Sequence, residues 1–302
     1  MKSKLFVLAL SLTLALAACG LPPATPLPPA TVVPATTTPL TTAVPPLTLE
    51  ALRNATYTLP TFGKTVTLTD GGYRYESGPE KLDVILLNAY ATGELNGDEA
   101  PDAVVILGEN SGGSGTFESV VVVYNVNGMP VQAGAAQLGD RVLVKSAAIQ
   151  NGEIILDMMV HGPNDGLCCP SLPNIQTYRM IEGYLWLTRL TSNISGTAER
   201  VITVSEPVNG AEVSNPFTVT GDVTIAPFEN TLAVRIFLPD GTPVNESPLM
   251  VDAPDMGAPG TFSRQFDLSN AGITGSVIIQ FVEVSMADGS TLALGSVVVN
   301  VK

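Results

Sequence analysis

The sequence predicts a mainly β protein, in which an antiparallel β domain is followed by a β-sandwich. Short runs of alternating apolar and polar residues recur from residue 47 to 302, and Asn-Gly, Asp-Gly and Glu-Gly pairs separate them at hairpin spacing. Within residues 47–190 the connections between these runs are too short for parallel crossovers.

The chain opens on Met1-Lys2-Ser3-Lys4, a basic start, followed by an apolar run from Leu5 to Ala15 and by Leu16-Ala17-Ala18-Cys19-Gly20. Basic start, apolar core and small residues at a cut site are the parts of a secretory signal. Leu-Ala-Ala-Cys also resembles the lipobox of bacterial lipoproteins. That resemblance implies a signal peptide over 1–18, lipid on Cys19, and attachment to the outer face of the cell membrane. A single acyl chain holds a protein only marginally, whereas two or more anchor it stably. The expected location is extracytoplasmic and lipid-anchored, with no later run of about 20 apolar residues to span a bilayer.

Leu21 to Pro46 holds nine prolines, seven threonines and no charge. Proline at this density favours an extended polyproline conformation, so residues 19–46 read as a stalk. The whole chain carries a formal net charge of −14, and loss of Lys2 and Lys4 with the leader makes it more negative. Such a surface disfavours nucleic acid and anionic headgroups.

Residues 47–190 read as the antiparallel β domain. Thr48 is placed to cap a short helix at Leu49–Asn54. Thr65–Thr69 and Tyr73–Glu76 flank Asp70-Gly71-Gly72, a hairpin signature. Asn127-Gly128 joins Val120–Val126 to Val131–Ala135, Asn151-Gly152 joins Leu143–Ile149 to Glu153–Met159, and Glu182-Gly183 joins Gln176–Ile181 to Tyr184–Leu190. A polar joint, Ser192–Glu199, leads to residues 200–302. There the strands are Val201–Ser205, Phe217–Val223, Leu232–Leu238, Phe262–Leu268, Val277–Ser285 and Ala293–Val301, spaced as in a sandwich.

In this second part, Ile202-Thr203-Val204 precedes Pro207 and Gly210, and Val213-Ser214-Asn215-Pro216-Phe217-Thr218-Val219-Thr220-Gly221 follows. Together with Phe228-Glu229-Asn230-Thr231-Leu232, Gly260-Thr261-Phe262 and Asp288-Gly289-Ser290, these segments resemble the immunoglobulin-like domain of bacterial spore-germination lipoproteins. Asn215 stands where that pattern usually has a serine. The resemblance implies an extracellular β-sandwich on a lipoprotein, and no activity follows from the fold alone.

Chemistry-bearing residues are few. Glu94, Asn96, Asp98 and Asp102 place oxygen ligands at positions one, three, five and nine around Gly97, a spacing suited to calcium; the other reading is an acidic turn. His161, the only histidine, precedes the adjacent pair Cys168 and Cys169. A vicinal disulfide, two packed thiols, and a metal or redox role are all open to that pair. Glu109 and Glu118 are a candidate carboxylate pair whose use depends on their separation. Ser111-Gly112-Gly113-Ser114-Gly115 lacks the following helix of a phosphate cradle and the order of a nucleophile elbow. No catalytic residue is assigned. The expected function is a non-catalytic binding or structural module of the cell envelope, its partner an envelope protein or wall polysaccharide. The alternative is an extracytoplasmic enzyme or redox protein using His161 and the Cys168–Cys169 pair.

Overall fold

A computed structural model describes residues 44–194 and 198–302. The leader, Cys19 and the stalk up to residue 43 lie outside the described residues. A short helix α1 (Leu49–Arg53) begins where the Thr48 hydroxyl accepts from the Ala51 N–H at 3.1 Å. Two three-residue strands, β1 (Thr56–Thr58) and β2 (Thr65–Thr67), pair with each other. Then come β3 (Gly72–Ser77), β4 (Glu80–Gly93), β5 (Asp102–Asn110), β6 (Phe117–Val126) and β7 (Met129–Asp140), a five-stranded antiparallel sheet in chain order. Of the Asp70-Gly71-Gly72 hairpin expected between Thr65–Thr69 and Tyr73–Glu76 only the turn forms, closed by paired main-chain hydrogen bonds between Thr69 and Gly72. There β2 turns back on β1, and β3 pairs with β4 around Gly78.

In this sheet β5 and β6 are covered on both faces. One face, with Val105, Leu107, Val121 and Val123, packs against α1, β1 and β2 through Leu52, Tyr57 and Val66. The other, with Val104, Ile106, Val120 and Val122, packs against Ile154, Leu156, Met158 and Tyr178. Two-sided burial is why both strands read as unbroken apolar runs rather than as alternation. The second face is closed by β8 (Leu143–Gln150), β9 (Glu153–Val160), β10 (Leu172–Ile181) and β11 (Tyr184–Ser192), antiparallel neighbours in order.

The C-terminal part is a two-sheet sandwich. One sheet contains β12 (Ile202–Glu206), β14 (Phe217–Val223) and β17 (Gly260–Phe266). The other contains β16 (Pro243–Met250), β15 (Thr231–Phe237), β18 (Gly275–Val284) and β19 (Thr291–Val301), with β13 (Ala211–Val213) lying parallel to β19. Val219, Leu232, Val234, Phe262, Phe281 and Val299 fill the space between. The Phe262 and Phe281 rings stack with centroids 4.7 Å apart.

The two parts share a ladder. β11 pairs with β19 at Arg189–Gly295 and Leu190–Leu294, so one sheet runs from β8 through β19 to β16. The seam is apolar at Leu190, Val282 and Leu294, all buried. Side chains also tie it to the main chain. Trp186 Nε1 donates to the Pro239 carbonyl at 2.8 Å, Gln280 Nε2 to the Leu187 carbonyl at 3.0 Å, and Ser296 Oγ to the Thr188 carbonyl at 2.8 Å. Arg200 pairs with the buried Glu283. All described residues accordingly fall within one compact unit.

Candidate functional site

The 94–102 loop carries its side chains inward on its own backbone. Glu94 Oε1 accepts from the Asn96 and Gly97 N–H groups, Asn96 Oδ1 from the Asp98 N–H, and Asp98 Oδ1 from the Ala100 N–H, all between 2.6 and 2.9 Å. Asp102 is fully buried at the start of β5, its two oxygens accepting from the Leu95 and Asn125 N–H groups at 3.0 and 2.9 Å. Burial pushes its carboxyl above the usual range, against the pull of those two donors, and the nearby charges of Glu94 and Asp98 push the same way. Among the described residues no group of three or more His, Cys, Asp and Glu side chains is arranged to hold a metal ion.

In the 161–171 loop the sulfurs of Cys168 and Cys169 stand 2.19 Å apart, on an exposed segment. His161 Nε2 lies 3.1 Å from the Asp140 carbonyl, so that nitrogen carries the proton, and Nδ1 is buried without a partner. Asp165 is occupied elsewhere, accepting from the Gly162 and Ser171 N–H groups at 2.8 and 2.7 Å and from the Ser171 hydroxyl at 2.7 Å. These donors, the Gly162 N–H foremost, hold its carboxyl below the usual range. Among the described residues no hydrogen bond links His161 to either cysteine.

Glu109 and Glu118 do not form a pair. Glu109 is in register with Phe117 and Glu118 with Gly108, so the two carboxylates project from opposite faces of the sheet. Glu109 accepts from the Ser119 hydroxyl at 2.7 Å within the first core, and Glu118 Oε2 accepts from the Val142 N–H at 3.1 Å within the second. Burial pushes Glu118 up to about 7 and Glu109 upward as well. The glycine-rich segment is a β5–β6 turn, closed by Asn110, whose Nδ2 donates to the carbonyls of Gly113 and Gly115.

A site that sequence reading missed lies at the seam. Ile155, Thr177, Arg189 and Gly295 stand in one row across β9, β10, β11 and β19. They share the face turned away from the Ile154, Leu156 and Met158 core, with Ile175 and Arg179 on the same side of β10. β12 forms the far wall. It lies so close to β19 that a Cβ on Gly295 would come within 2.4 Å of the Ile202 carbonyl oxygen. The result is an open trough of about 370 Å3, with aliphatic floor residues and Thr177, Thr188, Thr203, Asn209 and Ser296 as hydroxyl and amide groups. β12 is the edge of its sheet, and the Thr224 N–H donates to the Val201 carbonyl. By ladder alternation the main-chain groups of Ile202 and Val204 therefore point off β14 toward the trough. Arg179 has Glu153 at 3.8 Å, whereas Arg189 has no ion-pair partner among the described residues. No sequence motif marks this place, because its walls come from segments about a hundred residues apart. The one local signal is Gly295, a glycine inside a mostly apolar strand.

Residues 201–290 match the family described as the immunoglobulin-like domain of bacterial spore germination. The C-terminal part is thus an immunoglobulin-like β-sandwich of that kind, a class of binding or structural module. No curated protein matches the chain. Among the described residues no helix is long and apolar enough to cross a membrane.

Proposed function

We propose that this protein is a lipid-anchored, extracytoplasmic binding module of the cell envelope, and that its trough takes an extended wall polysaccharide. Lipid on Cys19 would hold it at the membrane, and the proline- and threonine-rich tract would carry the folded part outward. The observation that supports ligand binding is the trough itself. Its hydroxyls, its amide and Arg189, which has no ion-pair partner among the described residues, line it together with Ile155 and Ile175, an arrangement in which a sugar ring rests its C–H face on aliphatic carbon while its hydroxyls donate to the Thr and Ser oxygens and accept from Arg189. The match of residues 201–290 supports the module class.

Two measurements test the two halves of this reading. Labelling cells with an alkyne fatty acid should tag the wild type, while Cys19→Ser should stay untagged and leave the membrane fraction; equal labelling of both would overturn the anchor. Sedimentation with purified wall polysaccharide should retain the protein, and Arg189→Ala with Thr177→Val should lose most of that retention. Undiminished retention would overturn the trough as the site.

A further inference from the structure

The end of the sandwich formed by the β14–β15, β16–β17 and β18–β19 connections exposes large apolar side chains that its core does not use. Phe228 is 56% exposed, Met250 64%, Met256 55% and Met286 75%. Isolated apolar residues on a surface need no explanation, but these are contiguous. The Met256 sulfur receives the Glu229 N–H at 3.4 Å, and the Met250 sulfur lies 3.3 Å from the Thr231 hydroxyl oxygen, whose proton goes to the Glu229 carbonyl at 3.0 Å, so both thioethers fold onto the turn that carries Phe228. Between Phe228 and Met286 lies a cavity of about 460 Å3, floored by Ala233 and Val284 and walled by Pro248.

The turn beneath this surface is strained. Glu229 and Asn230 are consecutive non-glycine residues with φ of +53° and +52°, a conformation that crowds the Glu229 Cβ. Asn230 Oδ1 is buried there with no hydrogen-bond partner.

We infer that this end of the sandwich docks a protein segment that presents an apolar side chain flanked by lysine or arginine. Charge selects this occupant. The two charged residues lining the cavity, Glu229 and Glu246, are both acidic, and Arg235 answers only Glu246, at 3.3 Å. A second copy would set acidic rim against acidic rim, and an anionic bilayer would be repelled by a chain of net charge −14. Strand addition at this edge is blocked because β16 carries Pro243 and Pro248, which have no N–H to give. Recognition therefore runs through side chains, and methionine suits it because its flexible thioether reshapes to an apolar guest. The inference rests on the binding-module reading but uses a surface separate from the trough.

The test pans a phage library of short random peptides on the full chain, with the Phe228→Ser/Met286→Ser double variant as counter-selection. Enriched peptides should share an apolar residue flanked by Lys or Arg. They should bind the double variant about tenfold more weakly, and Glu229→Lys/Glu246→Lys should weaken them further while favouring acidic counterparts. Both variants should melt as the wild type does, since the replaced side chains are exposed. No enrichment, enriched peptides without basic residues, or equal binding to the double variant would overturn the inference. So would dimerisation lost in Met286→Ser, which would make the occupant a second copy, or flotation with vesicles lost in that variant, which would make it lipid. Wall-polysaccharide retention should be unchanged in both double variants, so failure of the trough reading and failure of this one are separately visible.

Discussion

Replacing Glu118 by glutamine should flatten the dependence of stability on pH. Glu118 lies between the five-stranded sheet and the β8–β11 layer, 7% exposed, with the Val142 N–H as donor to one oxygen. Burial is the main cause that lifts its carboxyl from the ordinary 4.5 to about 7, and the charge of Asp140 adds to it. A carboxyl raised on folding holds its proton more tightly in the native state. Its contribution is fully present below pH 4.5 and is lost as pH rises to about 7, because the unfolded chain releases the proton first. At about 1.36 kcal/mol per pKa unit, the whole loss comes to ~3 kcal/mol. Glutamine cannot ionise, keeps a carbonyl for the Val142 N–H, and nearly preserves volume. Glu118→Gln should therefore match the wild type near pH 4.5 and exceed it by about 2–3 kcal/mol at pH 8, or roughly 6–10 °C in melting temperature for a chain of this size. Glu109, Asp102 and Glu283 are raised in the same sense, chiefly by burial, but stand in both proteins and cancel in the comparison. Urea unfolding from pH 4.5 to 8 supplies the assay. Parallel curves for the two proteins would refute the assignment of a buried, proton-holding Glu118.

Other outcomes follow from single positions. Gly295→Ala forces β12 off β19 and should cost about 1–3 kcal/mol, read as a lower urea midpoint; an unchanged midpoint would mean that the contact with the Ile202 carbonyl yields freely. Asp102→Ala removes the acceptor of the buried Asn125 N–H and the half-buried Leu95 N–H and should destabilise by about 1–3 kcal/mol. Should calcium bind Glu94, Asn96, Asp98 and Asp102, melting in calcium should exceed melting in chelator, and Asp98→Ala should abolish the difference; no difference in the wild type leaves a hydrogen-bonded acidic turn. Intact mass should find the chain two hydrogens light, from a Cys168–Cys169 bond, and Cys168→Ser and His161→Ala should leave polysaccharide retention as it was. Loss of retention in either variant would bring the 161–171 loop into the site.

Local chemistry made most of the fold legible. The Asn127-Gly128, Asn151-Gly152 and Glu182-Gly183 turns each carry two consecutive positive φ values, which is why those pairs announced their hairpins. The same reasoning carried the Asp70-Gly71-Gly72 hairpin too far. Asp70 and Gly71 do turn the chain with positive φ, but β2 finds its partner in β1, and pairing over such short strands is decided by burial of Tyr57 and Val66 rather than by the turn. β16 was hidden by Pro243 and Pro248, residues tolerated only because that strand is an edge. The opposed faces of Glu109 and Glu118 follow from strand parity once the register of the Ser111–Gly115 turn is known, and register was the missing quantity. The trough had no sequence signature because Arg189 and Ile202 meet only through the β11–β19 ladder.

That ladder also decides where the molecule can be cut for expression. The family match stops at Ser290, one residue short of β19, the strand that pairs with β18, β13 and β11 and brings Ala293, Val297, Val299 and Val301 to the sandwich core. A gene trimmed to 201–290 would encode a sandwich lacking its central strand, with the edge of β18 open to any passing chain. Such a product should accumulate as insoluble aggregate. Extending it to Lys302 restores that strand but strips β11 from Leu294 and Gly295, leaving the Leu190 contact surface of Val282 and Leu294 bare to water. The piece that closes every ladder and also keeps α1 and the Pro45 carbonyl that accepts from Asn125 runs from Pro45 to Lys302.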